Sequence, residues 1–465
     1  MSFRNYPVYK DSAITWIGSV PSEWQVRKIG HSFGSVGSGT TPPTSDEKWF
    51  SQGEIPWVTT GELRENIVKK TKKYLIPEAL EAFSALQIHP KGALVIAMYG
   101  ATIGRLGVLG IPATTNQACC ALSQPKSLDI RFTFYWLLVH REPIVSLFSS
   151  GGGQPNINRE TVMSLRVPAP KLEEQVQITR FLDHETAKID TLIHEQKRLI
   201  ELLQEKRQAV ISHAVTKGLD PNVPMKDSGV EWLGEVPAHW EVVPAKFLYD
   251  FVTSGSRGWA EYYSDSGELF FRITNLTRDS IRPKLDSIKY VSPPEGSEGS
   301  RAKIKIGDVL ISITADLGSV CAANKDIEGG YVSQHVALAR TNTKVRCSEW
   351  LAYFILGDAA KEQLLGAGYG GTKIQLSLED IRSFIVVMPP QDEQISISQN
   401  LTHRLSDMAT LINEAVQTVK LLRERRSALI SAAVTGKIDV RNWQPPADES
   451  AFDEEVRQAG MEATV

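Results

Sequence analysis

Cysteine is scarce in this chain of 465 residues: Cys119, Cys120, Cys321 and Cys347 are the whole complement, and they form neither a CxxC pair nor a Cys/His cluster at metal spacing. A disulfide framework and a structural zinc site are thereby excluded as organising elements, and small buried thiols are the expectation. No apolar run approaches the roughly 20 residues that cross a bilayer, and the opening MSFRNYPVYK lacks the apolar stretch and cleavage site of a secretion signal. A cytoplasmic protein is expected. A basic excess is missing as well. The formal charge of −3 argues against a nucleic-acid binder acting alone, which normally carries many cations to displace counterions from phosphate.

Catalytic signatures are equally absent. The string FGSVGSG at 33–39 lacks the Lys-Ser/Thr ending of a P-loop and reads as a turn. There is no Asn-Pro-Pro-aromatic string of the kind amino-methyltransferases use to hold a base, and no GxSxG, HExxH or kinase-type set. His140, His194, His213, His335 and His403 are scattered, three of them in helical stretches. Neither a catalytic centre nor a metal site is expected.

What the chain does contain is a duplication. DSAITWIGSVPSEW begins at Asp11 and DSGVEWLGEVPAHW at Asp227. Superimposing them places Lys10 on Lys226, Trp16 on Trp232, Gly18 on Gly234, Pro21 on Pro237 and Trp24 on Trp240. A second shared block closes each copy, LLQEKRQAVISHAVTKGLD at 202–220 and LLRERRSALISAAVTGKID at 421–439. Between these anchors the copies diverge. Matching frames around unlike interiors imply one fold used twice on two different targets.

Each interior is rich in Gly, Pro and short apolar runs, the pattern of strands and loops with a few helices. EIPWVTT, GALVIAMYG and LRVPAP read as strands in the first copy; ELFFRIT, GDVLISIT and FIVVMPP do so in the second. After APKLEEQ and PPQDEQ the character changes. From Glu173 to about Thr216 there is no Gly or Pro, and good helix formers dominate. Apolar residues recur at heptad-like places: Ile178, Leu182, Ile189, Leu192, Leu199, Leu203 and Val210, then Ile397, Leu401, Met408, Leu411, Leu422 and Leu429 in the second copy. A helix of that length spans roughly 65 Å, and burying the two seams on each other makes an antiparallel pair. The fold class expected is therefore α+β: two pseudo-symmetric domains separated by two long, antiparallel, coiled-coil-like helices. The boundaries read from the sequence are 1–170 for the first domain, 171–216 for the first helix and 217–226 for a linker. The second domain follows at 227–390, the second helix at 391–437 and an acidic, loosely held tail at 438–465, loose from about Asn442.

Several of these strings together resemble the specificity subunits of type I restriction-modification enzymes: KDSGVEWLGEVPAHW, SGTTPPTSDEKW followed by GEIPWVTTGEL, SGSRGWAEYYSDSGELFFRITNL, and the paired LLxExRxAxIxxAVT helices. The resemblance covers nearly the whole chain apart from the tail. It implies two target-recognition domains, each reading one half of a split double-stranded DNA site, with helices that act as ruler and docking surface. It further implies a non-catalytic chain without cofactors of its own. Two adenine N6-methyltransferase (modification) subunits and ATP-dependent restriction subunits would be the partners, bringing S-adenosylmethionine, ATP and Mg. Partners closing around DNA would supply the phosphate attraction that a charge of −3 does not. An enzyme acting by itself and a protein-only scaffold are the competing readings.

Base readout needs donors and acceptors on loops and strand ends. In the first domain the loops SGTTP, TTGEL, YGATIGR and GGGQPNI supply Thr40, Thr60, Tyr99, Thr102, Arg105, Gln154 and Asn156 as DNA-binding candidates. Asn116 and Gln117 are equally well read as structural. The matching loops of the second domain supply Ser256, Arg257, Tyr263, Asn275 and Arg278, then Asp316, Gln334, Tyr369, Lys373 and Gln375. Trp259 and Tyr262 fit a core or a DNA surface alike, and Lys69, Lys70, Lys72 and Lys73 fit a solvated loop or phosphate contact. Arg423, Arg425 and Arg426 on the second helix fit a solvated or ion-paired face, or a partner contact.

Overall fold

The computed structural model describes residues 4–149, 156–292, 297–314, 316–367 and 375–446. It divides into two compact units: residues 1–196 with 417–465, and residues 197–416. Two long helices, Leu172–Lys217 and Gln391–Val434, each contribute one half to each unit. Among the described residues no helix is long and apolar enough to cross a membrane.

In the first unit a five-stranded sheet has the order Phe33–Ser38, Cys119–Pro125, Leu94–Ala97, Leu106–Leu109, Asn66–Val68. Its central strand, LVIA, is apolar without alternation because both faces are buried. A smaller sheet orders Thr114–Thr115, Ile55–Val58 and Lys73–Leu75. The second unit repeats the plan with four strands, Tyr249–Ser254, Val336–Thr341, Asp308–Ser312 and Val320–Ala322. Beside them runs a sheet of Tyr263–Ser264, Tyr290–Val291, Glu268–Phe271 and Tyr331–Val332. All six strands read from the sequence are present. FGSVGSG is the exception to that reading: 33–38 is an edge strand rather than a turn, paired with Cys119–Pro125.

The repeated opening motif has a structural purpose in each unit. Tyr9–Asp11 pairs with Ser19–Pro21, and Met225–Asp227 with Glu235–Pro237, each hairpin closing through a positive-φ glycine, Gly18 or Gly234. The tryptophan that follows is fully buried. Trp24 donates its indole N–H to Glu174 at 3.1 Å, and Trp240 donates to Glu393 at 3.0 Å, so the start of each long helix is tied to its own domain. The far end of the other helix meets the same ring. Gly436 lies against Trp24 and Gly218 against Trp240, both with the positive φ of a helix terminator. One residue along, Gln175 and Gln394 are completely buried and duplicate one another. Gln175 accepts from the Asp129 N–H and donates to the carbonyls of Ser127 and Pro170; Gln394 accepts from Arg346 and donates to Lys344 and Pro389.

The helix seam departs from a strict heptad. In the first unit Ile189 and Ile193 pack with Val419, Leu422 and Leu429, and Ile178 and Leu182 share a core with Ile430 and Val434, which makes the packed halves antiparallel. In the second unit Ile397, Leu401, Leu405 and Met408 share a core with Ile211 and Val215. Leu192, Leu199 and Leu411, placed in the seam from their spacing, are instead 45%, 43% and 50% exposed. The buried stripe steps through Ile189 and Ile193, so Leu192, about 60° round the helix from the one and about 100° from the other, lies to one side of it. The tail also differs from expectation. Trp443 packs on Phe181 and His184, and Gln177 donates to the Trp443 carbonyl at 2.6 Å, so the chain is held at Trp443; residues 447–465 lie outside the described residues.

Two histidines of the first unit make its stability pH-dependent. Burial holds the His89 imidazole below the ordinary histidine range; burial does the same at His140, aided by Lys437 and opposed by the Trp136 carbonyl, 2.8 Å away. The unfolded chain takes up protons near the ordinary value of about 6.5 while the folded unit resists them, so stability is complete above that value and declines as pH falls through it. Protection factors of the Leu94–Ala97 amides, with the intrinsic pH dependence of exchange divided out, are expected to fall between about pH 7.5 and 5.5, and a His89→Gln, His140→Gln double variant to flatten that dependence.

Candidate nucleic-acid interface

In both units the candidate loops begin where an edge strand runs into a glycine. The strand Phe33–Ser38 ends at Gly39, whose added Cβ would stand 1.6 Å from the Thr115 carbonyl oxygen. The strand Tyr249–Ser254 ends at Gly255, whose Cβ would stand 1.9 Å from the Val332 carbonyl. Only a residue without a side chain allows this approach. It lodges Thr40 and Ser256 beside the same short parallel pairing, Ile55–Val58 with Thr114–Thr115 in one unit and Glu268–Phe271 with Tyr331–Val332 in the other.

The first unit gathers its candidates in two places. Around the small sheet, the Thr40 carbonyl accepts the Trp57 indole N–H at 3.2 Å, and Thr60 sits in the turn that follows Ile55–Val58. Here Gln117 is bonded to the Thr41 hydroxyl, and Asn116 accepts from the Ala118 N–H at 3.2 Å, so both have the structural role that the sequence allowed. The second place is the loop after Leu94–Ala97. Tyr99, 40% exposed, bridges to Asn156, and Thr102 donates its hydroxyl to the Tyr99 carbonyl at 3.2 Å. Arg105 joins them through its backbone N–H, 2.9 Å from the Thr102 carbonyl, while its guanidinium lies 3.7 Å from Glu65. Gln154 lies outside the described residues. Lys69, Lys70, Lys72 and Lys73 are all exposed, and Lys73 sits 5.0 Å over the Phe50 ring.

The second unit concentrates three candidates, Ser256, Tyr263 and Gln334, on one recess of about 310 Å³. Arg272, Thr274, Ser333 and His335 line it too, and the sequence reading missed all four. For Ser333 a positional signal existed: it follows the strand Tyr331–Val332 just as Asn116 follows Thr114–Thr115. Trp259 is core, 3% exposed, whereas Tyr262 is 39% exposed. Arg278 pairs with Asp316 at 2.7 Å and donates to the Leu317 carbonyl, each partner remaining about half exposed. Gln375 bridges to Thr314, and Arg257 is exposed. Tyr369 and Lys373 fall outside the described residues. Asn275 must be withdrawn from the DNA-contact set. It is completely buried, accepting the Arg272 N–H and donating to the carbonyls of Lys284 and Ser287, so it has no group to offer a ligand.

Burial pushes the Cys120 and Cys321 thiols up to about 12, so neither is a thiolate nucleophile near neutrality. Among the described residues no group of three or more His, Cys, Asp or Glu could hold a metal ion. What the loops present is hydroxyls, amides, guanidinium groups and aromatic edges, the inventory of base and phosphate recognition.

Comparison with known proteins agrees with that inventory. Residues 21–202 and 292–420 match the family described as type I restriction modification DNA specificity domain. The MjaVIII specificity subunit of Methanocaldococcus jannaschii is 22% identical over 91% of this chain and 95% of its own. The MjaIX specificity subunit from the same organism is 25% identical over 92% and 96%, and the EcoKI specificity subunit of Escherichia coli K12 is 21% identical over 92% and 91%. Among solved structures, a chain from a study of type I R-M complex assembly and conformational transition superimposes with a TM-score of 0.70 at 17% identity, over 90% of this chain and 99% of that one. The HsdS subunit of Thermoanaerobacter tengcongensis gives 0.52 at 17% identity over 90% and 98%. With both halves matched by the family and the fold shared across nearly its whole length, the chain belongs to the type I restriction-modification DNA specificity family.

Proposed function

We propose that the two units read the two unlike halves of a split, asymmetric DNA sequence, and that the long helices fix the unread gap and dock two methyltransferase subunits. The observation that carries this is the pairing of duplicated framework with unlike readout: Trp24/Trp240, Glu174/Glu393, Gln175/Gln394 and Gly39/Gly255 repeat, whereas the residues after each glycine do not. A symmetric partner pair requires the first set to match, and an asymmetric site requires the second to differ.

The bond-making steps belong to the partners in this reading. Methyl transfer to adenine N6 would use S-adenosylmethionine on the modification subunits, and cleavage would use ATP and Mg on the restriction subunits. This chain contributes position and sequence choice. Docking is supported by apolar side chains on the helices that the fold leaves uncovered: Leu202 and Leu421 are 44% and 63% exposed, besides Leu192, Leu199 and Leu411. Leucines left uncovered in this way are costly in water unless another protein covers them.

The test is methylome sequencing of a host that expresses this chain with its methyltransferase. A bipartite motif is expected. Replacing Ser256, Arg257 and Gln334 together by alanine should degrade one half of it and leave the other intact; degradation of both halves would refute the assignment of one half to each unit. Inserting one helical turn between Glu173 and Leu203, with its match in the second helix, should change the length of the gap while both half-sequences persist. Half-sites about 34 Å apart, one duplex turn, are the expected starting geometry.

A further inference from the structure

The two units treat matching positions differently. In the first, the side-chain oxygens of the polar residues after the short parallel strand are engaged locally, that of Gln117 by the Thr41 hydroxyl and that of Asn116 by the Ala118 N–H. In the second, the corresponding Ser333 is 5% exposed, and its hydroxyl has no hydrogen-bond partner among the described residues although it lines the recess. Arg272 contributes a second such atom, its buried Nε, while its Nη2 is held by the Ser287 carbonyl at 3.0 Å. Gln334 donates its amide to His335 Nε2 at 3.0 Å, which leaves its carbonyl oxygen as an acceptor. Unpaired polar atoms at the edge of a recess are placed to bond a ligand, since a buried group left without a partner is otherwise costly.

The recess has a flat, aromatic side as well. Trp259 and Phe270 stack with centroids 6.1 Å apart and planes 23° from parallel, and Tyr263 leans on Phe270 at 5.5 Å while remaining 46% exposed. Trp259 and Phe270 are themselves buried, so Tyr263 is the ring free to cover a planar ligand, beside a polar edge that offers hydroxyl, carbonyl and guanidinium N–H together. At about 310 Å³ the space admits one heteroaromatic ring system and not a duplex. Nucleobases have that shape and that edge chemistry, and proteins take them by stacking one face and hydrogen-bonding the edge.

We propose that the recess formed by Tyr263, Arg272, Ser333 and Gln334 receives a single base unstacked from the DNA, in the half-site read by the second unit. The proposal rests on the DNA-reading assignment above and adds to it a mode of reading at that half-site.

The experiment uses the complex of this chain with its methyltransferase and duplexes of the motif found by methylome sequencing. At each position of the second unit's half-site, other than an adenine that becomes methylated, the opposite-strand base is changed in turn to create a mismatch. A mismatch removes the pairing that must be broken before a base can leave the stack, so one position is expected to bind about tenfold tighter while the others bind more weakly. Tyr263→Ala and Gln334→Ala, each checked by thermal melting, should abolish that gain. Weaker binding at every mismatched position, with sequence-specific binding otherwise intact, overturns the recess and spares the DNA-reading assignment. Saturable binding of free nucleosides with no mismatch gain also overturns it, because the base would then not come from DNA. Failure to bind the methylated motif at all overturns both.

Discussion

Gly39→Ala and Gly255→Ala are each expected to unfold the small sheet of the unit that carries them and to abolish sequence-specific binding. The added methyl would sit 1.6 Å from the Thr115 carbonyl oxygen in one case and 1.9 Å from that of Val332 in the other. Both neighbours are backbone atoms at the end of a parallel pairing, so they cannot turn aside as a flexible side chain can. The strands must separate, at a cost of about 3 kcal/mol or more by comparison with other overpacked sites. Nearby glycines provide the control. Gly61 would meet only the Thr59 hydroxyl, at 3.8 Å, and Gly61→Ala is expected to melt within about 0.5 kcal/mol of the parent. Thermal melting and motif-duplex binding of the three variants check this, and a Gly255→Ala protein that melts with the parent would remove the argument for close strand approach.

Removing the carboxylate of Asp308 is expected to be comparably damaging, but in the second unit alone. Asp308 is 1% exposed and holds Arg340 by two hydrogen bonds of 2.8 Å, while also accepting from the Lys305 N–H at 2.8 Å. Arg340 also stacks over Phe251, 4.6 Å from the ring, and donates to the Lys303 carbonyl. Asp308→Ala leaves a largely buried guanidinium without its counter-charge, a change that commonly costs about 3–5 kcal/mol. Double replacement by a matched apolar pair, Asp308→Leu with Arg340→Met, is expected to recover much of that loss, because the penalty lies in the uncompensated charge rather than in the absence of the pair. Amide exchange read separately in the two units decides the matter: protection should fall in Val309–Ser312 and Val336–Thr341 and hold in Leu94–Ala97. A uniform loss across both units would mean that they unfold as one body.

The candidate contacts divide by how local their geometry is. Ser256 and Thr40 stand out as candidates because SGS and SGT sit at strand ends, a feature of adjacent residues. Asn275 looked the same in the string RITNL, yet its amide is engaged by Lys284 and Ser287. Arg272, Ser333 and His335 were passed over because each becomes a recess residue only when Glu268–Phe271 pairs with Tyr331–Val332, segments some 60 residues apart. Leu192 and Leu199 went astray for a related reason. A heptad count gives the number of apolar positions, while the true phase of the stripe depends on which side chains of the facing helix and domain are there to meet it.

By itself the sequence determined that the fold is built twice, that two uninterrupted helices join the copies, and that the chain resembles a DNA-reading family. Those properties lie in order and periodicity, which survive without any knowledge of the third dimension. Tertiary structure decided which polar groups are already satisfied, where a carbonyl leaves no room for a methyl group, and which leucines face water. Each of these depends on atoms brought within a few ångströms from distant parts of the chain, and hydrogen-bond satisfaction and steric exclusion are properties of that proximity alone.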